Sequence, residues 1–127
     1  MRNRPKVLIV DYQADVLITF ERLFENAGFD TTTTWSGLNA LQLTRASSFD
    51  IVLVNEHLSD MPVAEFVRQM AAIGKPCMIM QGSRPQLEAR SSLLGAAGVI
   101  SKRSPVDIIG IVSAKLGLAK TCGSADV

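Results

Sequence analysis

Cysteine and histidine are scarce in this sequence, which holds two of the first and one of the second among 127 residues. That is too few for a disulfide framework, and no Cys/His cluster has metal-ligand spacing. Excess charge is missing too, since 13 Lys plus Arg stand against 12 Asp plus Glu, a formal net charge of +1. No global field draws the chain to nucleic acid or to an anionic membrane, and neither is expected as a partner. Long apolar runs are absent. None reaches the roughly 18 to 20 residues that a membrane span requires. The run at 7–10, behind the basic opening Met1-Arg2-Asn3-Arg4-Pro5-Lys6, is too short for the apolar part of a signal peptide. There is no Gly-rich phosphate loop of the Walker or dinucleotide type, no internal repeat and no low-complexity tract. The class left is a soluble, cytoplasmic protein of a reducing compartment. Cys77, in an apolar run, is expected to be a core thiol and Cys122, in a polar tail, an exposed one.

What is present is a core. Apolar residues make up 47% of the chain, a share that fits one compact domain. At this length folding removes roughly two-thirds of the unfolded chain's surface from water, so no staple is needed. Short continuous apolar runs at 7–10, 51–54 and 77–80, with a weaker one at 98–100, have the pattern of strands buried on both faces. The stretch 29–35 is β-branched but half polar through Thr31 to Thr34, as an outer strand with one wetter face would be.

Helical period fills the gaps. Val16, Leu17, Phe20, Leu23, Phe24 and Ala27 share one face, with Gly28 as the stop. Ser36 caps a second helix that turns Leu38, Ala40 and Leu41 inward. Pro62 opens a third with Val63, Phe66, Val67 and Met70 inward, and Gly74 closes it. Pro85 opens a fourth, with Leu87, Ala89, Leu93 and Leu94, and Pro105 a fifth, with Ile108, Ile109, Val112 and Leu116. Met70, Met78 and Met80 are read as core fill. The domain is expected over 1–118, with a polar tail at 119–127 and no output domain in this chain.

Five strands alternating with five helices predict an α/β fold, a parallel sheet with helices on both faces and right-handed crossovers. In such folds ligand chemistry gathers where strands end. The exits carry Asp11-Tyr12-Gln13, Asn55-Glu56-His57, Gln81-Gly82-Ser83 and Ser101-Lys102-Arg103.

At these residues the chain resembles a bacterial response-regulator receiver domain. The likeness rests on Lys6-Val7-Leu8-Ile9-Val10-Asp11, Gly37-Leu38-Asn39-Ala40-Leu41, Phe49-Asp50-Ile51-Val52-Leu53-Val54, and Gly95-Ala96-Ala97-Gly98 leading to Lys102. It covers about residues 5 to 118 and implies a flavodoxin-like, doubly wound (βα)5 fold. It also implies a site in which an aspartate accepts a phosphoryl group. An acidic pair there holds Mg²⁺, a Thr or Ser hydroxyl bonds the phosphoryl group, and a Lys neutralises it.

Most of that set is altered here. Asn55 stands at the acceptor position, and an amide is not a carboxylate nucleophile. The acidic pair is Asp11 and Tyr12, so Mg²⁺ binding is expected to be weak or absent and no cofactor is foreseen. Gln81 replaces the switch hydroxyl, Val99 the aromatic that rotates on activation, and Arg103 the proline after the lysine. The loop after the third strand departs as well, with Ser59 and Pro62-Val63 where a proline and an Asp-Gly are usual. Three carboxylates and a lysine sum to about −2, whereas Asp11 and Lys102 alone cancel. A partly buried network is therefore predicted, with Lys102 bonding Asp11 and the side-chain oxygen of Asn55.

The resulting expectation is a phosphorylation-independent pseudo-receiver, not an enzyme, that binds a signalling protein such as a histidine kinase or an effector. Dimerisation is expected through the fourth helix, fifth strand and fifth helix, around Arg90, Arg103, Asp107 and Lys115. The alternative is a sensor of anions or small ligands in a phosphorelay, using Arg84, Lys102 and Arg103. A shifted acceptor at Glu56 or Asp60 would lose in-line geometry with Lys102. His57 is read as a solvated loop residue, Tyr12 as filling the volume of the missing acid, and Trp35 as packing.

Overall fold

The apolar runs become the strands of one parallel sheet. The computed structural model describes residues 4–81, 98–101 and 105–117. Strands β1 (Lys6–Val10), β2 (Asp30–Thr34), β3 (Ile51–Asn55), β4 (Cys77–Gln81) and β5 (Gly98–Ser101) lie in the order β2-β1-β3-β4-β5. The helices among the described residues are α1 (Ala14–Asn26), α2 (Gly37–Ala46), α3 (Val63–Ile73) and α4 (Pro105–Lys115). The last of these is the fifth of the sequence reading. The helix expected from Pro85, the tail and Cys122 lie outside the described residues.

Because β1, β3 and β4 are apolar over 7–10, 51–54 and 77–80, each of these strands feeds two cores. Leu8, Val10, Val52 and Val54 face α2 and α3, where Phe66 and Met70 are fully buried. Val7, Ile9, Ile51 and Leu53 face the other way, onto Phe20 and Phe24 of α1 and Ile108 and Val112 of α4. Phe24 meets Phe29 edge to face with ring centroids 5.0 Å apart. In-register pairing of Val7 with Thr31 and with Ile51 puts equivalent side chains on the same face of adjacent strands.

Turn chemistry follows the sequence. Gly28 and Gly74 have φ of 94° and 86°, left-handed conformations that stop α1 and α3. Arg4 locks the first of these turns by donating to the carbonyls of Glu25, Gly28 and Phe29. Ser36 caps α2, its Oγ accepting from Asn39 N at 3.0 Å. Pro62 stands one residue earlier than expected, at the N-cap of α3. Cys77, Met70, Met78 and Met80 are core residues.

Four expectations are corrected. Leu38 is 56% exposed, since the first turn of α2 buries Gly37 instead and leaves no room for a larger side chain to point inward. A Cβ on Gly37 would lie 2.8 Å from Met61 Sδ and 3.0 Å from Leu58 Cδ1. Ala27 is the exposed C-cap of α1, just past the periodic face. Trp35 is 61% and Tyr12 49% exposed, so Trp35 does not pack into the core and Tyr12 does not fill a vacated buried volume. No helix among the described residues is long and apolar enough to cross a membrane.

Candidate functional site

Three strand exits converge at the carboxyl edge of the sheet. Asp11 follows β1 and is fully buried. Its N–H donates to Thr34 O at 3.1 Å, continuing the pairing with β2, and its Oδ1 accepts from Gln13 N at 2.9 Å. That side-chain bond turns the chain from strand to helix, since Gln13 O then accepts from Val16 N and Leu17 N as α1 begins. Asp11 therefore has a structural task at the site.

Asn55 is the last residue of β3 and is 3% exposed. Its Nδ2 donates to His57 O at 2.8 Å. The opposite amide orientation would set oxygen against oxygen, so the bond decides which end faces the loop. Asn55 Oδ1 is buried with no hydrogen-bond partner among the described residues, and so is Gln81 Oε1 at the end of β4. Adjacent pairing of β3 and β4, with Glu56 N donating to Met80 O at 2.9 Å, keeps these two exits together. A buried acceptor left without a donor costs about 1–3 kcal/mol, so these two mark a place for one.

The loop after β3 is tied to α2 by a contact that sequence reasoning missed. Asp60 accepts from Ser36 Oγ at 2.8 Å, from Gly37 N at 3.0 Å and from Leu38 N at 3.0 Å. Desolvation pushes the Asp60 carboxyl upward, but the bonds from Leu38, Gly37 and Ser36 outweigh it and hold it below its ordinary 3.8. Asp60 thus caps a helix that starts 23 residues earlier, at Gly37, and local spacing carries no signal for that. His57 offers its carbonyl to Asn55 while its residue as a whole is exposed.

Of the expected site residues, the structure brings Asp11, Asn55 and Gln81 to one edge and turns Tyr12 outward. Lys102, Arg84 and Arg103 lie outside the described residues.

A family model of the response regulator receiver domain matches residues 7–112. The chain belongs to this family. It is a receiver domain of two-component signalling. Its fold is similar to that of a CheY-like receiver domain protein from Methanospirillum hungatei JF-1, with a TM-score of 0.83 at 21% identity, covering 91% of this chain and 95% of that one. The chemotaxis protein CheY4 of Vibrio cholerae is similar at a TM-score of 0.80 and 20% identity, covering 88% of this chain and 98% of that one. The receiver domain of an HD domain-containing protein from Pseudomonas fluorescens Pf-5 reaches 0.82 at 20% identity, covering 92% and 90%. No curated protein sequence matches the chain.

Proposed function

We propose that this receiver domain signals without phosphorylation, as a protein-interaction module in which Asn55 replaces the phosphoacceptor aspartate. The observation that carries the reading is the Asn55 amide itself, buried at the end of β3 with its N–H donated to His57 O. A side-chain amide is not a carboxylate nucleophile, so the acyl phosphate has nowhere to form. The donor set also fits Mg²⁺ poorly. Asp11 supplies one carboxylate, already accepting from Gln13 N, and the half-exposed Tyr12 phenol is no substitute for a second.

The expected network of Lys102 with Asp11 and Asn55 falls outside the described residues, and the buried oxygens of Asn55 and Gln81 are where a donor would act. The strand ends are then held in one arrangement and the module acts through its surface. The outer side of α4, where Ile111 is 43% exposed between Asp107 and Lys115, belongs to the face through which a partner or a second copy would dock.

The test is an amide NMR titration with Mg²⁺ and then beryllofluoride, following Asp11, Asn55 and Gln81. The proposal predicts no saturable shifts at millimolar Mg²⁺. Saturable shifts spreading into β5 would overturn it, and shifts with inorganic phosphate alone would favour anion sensing. Light scattering across a concentration series checks dimerisation, which a strictly constant monomer mass would refute.

A further inference from the structure

The start of α2 is tied to two of the strand exits by separate routes. On one side, Asp11 N donates to Thr34 O at 3.1 Å, and Thr34 Oγ1 accepts from Ser36 N at 3.3 Å and from Asn39 Nδ2 at 2.9 Å. On the other, Asn55 Nδ2 holds the carbonyl of His57, and three residues later Asp60 accepts from Ser36, Gly37 and Leu38. Both oxygens of Asp60 are used, Oδ1 by Gly37 N and Oδ2 by Ser36 Oγ and Leu38 N. The carboxylate cannot follow a shift of the loop without releasing at least one of these donors.

Apolar contacts run beside the polar ones. Leu58 and Met61 are partly buried and pack against the same core as Ala40 and Leu41 of α2. Glycine at position 37 lets both side chains rest directly on the first residue of the helix, where a Cβ would come within 3.0 Å of each. The ends of the loop are fixed as well. Glu56 N donates to Met80 O at 2.9 Å, and Pro62 O accepts from Glu65 N and Phe66 N as α3 begins. Groups packed and bonded in this way move together or exchange partners, because a close-packed contact does not stretch.

We infer that residues 56–61 form a strap that couples the strand-end site to the start of α2, so that a change at Asn55 is delivered to residues 36–40 and a change at the α2 cap is felt at Asn55. Its links are the Asn55 amide, the His57 carbonyl and the Asp60 carboxylate, with Leu58 and Met61 as its apolar seat. Trp35 and Leu38, both exposed, flank Ser36 and Gly37 in the chain and carry the shift to the surface. The coupling does not depend on whether the domain can be phosphorylated.

Amide hydrogen exchange and two-dimensional NMR of the full chain test the strap in a cycle of four proteins: wild type, Asn55→Ala, Asp60→Ala and the double variant. Asn55→Ala should raise exchange at Gly37, Leu38 and Ala40 about fivefold or more. Phe20 and Phe24 of α1 should change only as far as global stability falls. In the Asp60→Ala background the same substitution should leave Ala40, whose N–H still has Ser36 O as its acceptor, nearly unmoved. Asp60→Ala alone should shift the side-chain amide signals of Asn55. An equal rise at Ala40 in both backgrounds, a rise that α1 shares in full, or no rise at all would overturn the inference. If an alanine variant fails to fold, Asn55→Leu, which keeps the volume without the donor, or Asp60→Asn takes its place in the cycle and is read in the same way.

Discussion

The side chain of Asn55 donates a 2.8 Å hydrogen bond to the main-chain carbonyl of His57, two residues further along the chain. The residue that ends the central strand therefore also shapes the loop after it, and it does so as a donor. A carboxylate cannot take that part. Asparagine here has its own structural task, beyond the removal of a nucleophile.

Asn55→Asp should consequently destabilise the fold by about 1–3 kcal/mol at neutral pH, by setting a buried carboxylate beside the His57 carbonyl and near Asp11. Burial raises the new carboxyl's pKa in the folded state. Its protonated form is then the compatible one, and the deficit relative to wild type should shrink as pH falls toward 4. Urea unfolding of both proteins at two pH values checks the sign, and a deficit that grows on acidification would contradict it. The same variant should still fail to accept phosphate from a small-molecule donor, because Tyr12 and Gln81 are unchanged.

Asp60→Ala should cost about 0.5–2 kcal/mol through loss of the α2 cap. The carboxyl is held below its ordinary 3.8, so its contribution is fully present above that value and is lost as pH falls through the lower folded one. Wild type and variant should converge in acid. Hydrogen exchange at the Gly37 and Leu38 amides should rise in the variant at neutral pH, and unchanged protection there would speak against the cap.

Gly37→Ala should destabilise by about 1 kcal/mol or more, because its Cβ would meet Met61 Sδ at 2.8 Å. The obstacle is a flexible side chain. Introducing Met61→Ala first should remove much of the penalty, and a double-mutant cycle showing simple additivity would refute the contact.

Cys77 should be inert in the folded protein. Burial pushes its thiol up to about 12, so almost no thiolate exists at pH 8. In a Cys122→Ser background, a thiol reagent such as Ellman's should react with one group only after denaturant is added. Rapid reaction of the native protein would show that β4 opens readily.

The fold was largely legible in the sequence because each element has its own burial period. Continuous apolar runs at 7–10, 51–54 and 77–80 announce a sheet covered on both faces, and Phe20, Phe24, Phe66 and Met70 fall where helical spacing puts a core-facing stripe. Gly28 and Gly74 announced the stops, since left-handed backbone favours glycine. The placement of Asp11, Asn55 and Gln81 at one edge followed from parallel topology. Leu38 was misjudged because periodicity alone does not tell which of two apolar neighbours a close packing will admit.

Taken by itself, the sequence determined the strand and helix pattern, the absence of a carboxylate at position 55 and the likeness to receiver domains. Only the tertiary structure decided that Asn55 ties down the loop after β3, that Asp60 caps α2, and that Tyr12, Trp35 and Leu38 are exposed. The physical reason is range. Burial and turn preferences are written within a few residues, whereas Ser36 and Asp60 are 24 residues apart and meet only because the folded sheet sets the start of α2 against the loop leading to α3.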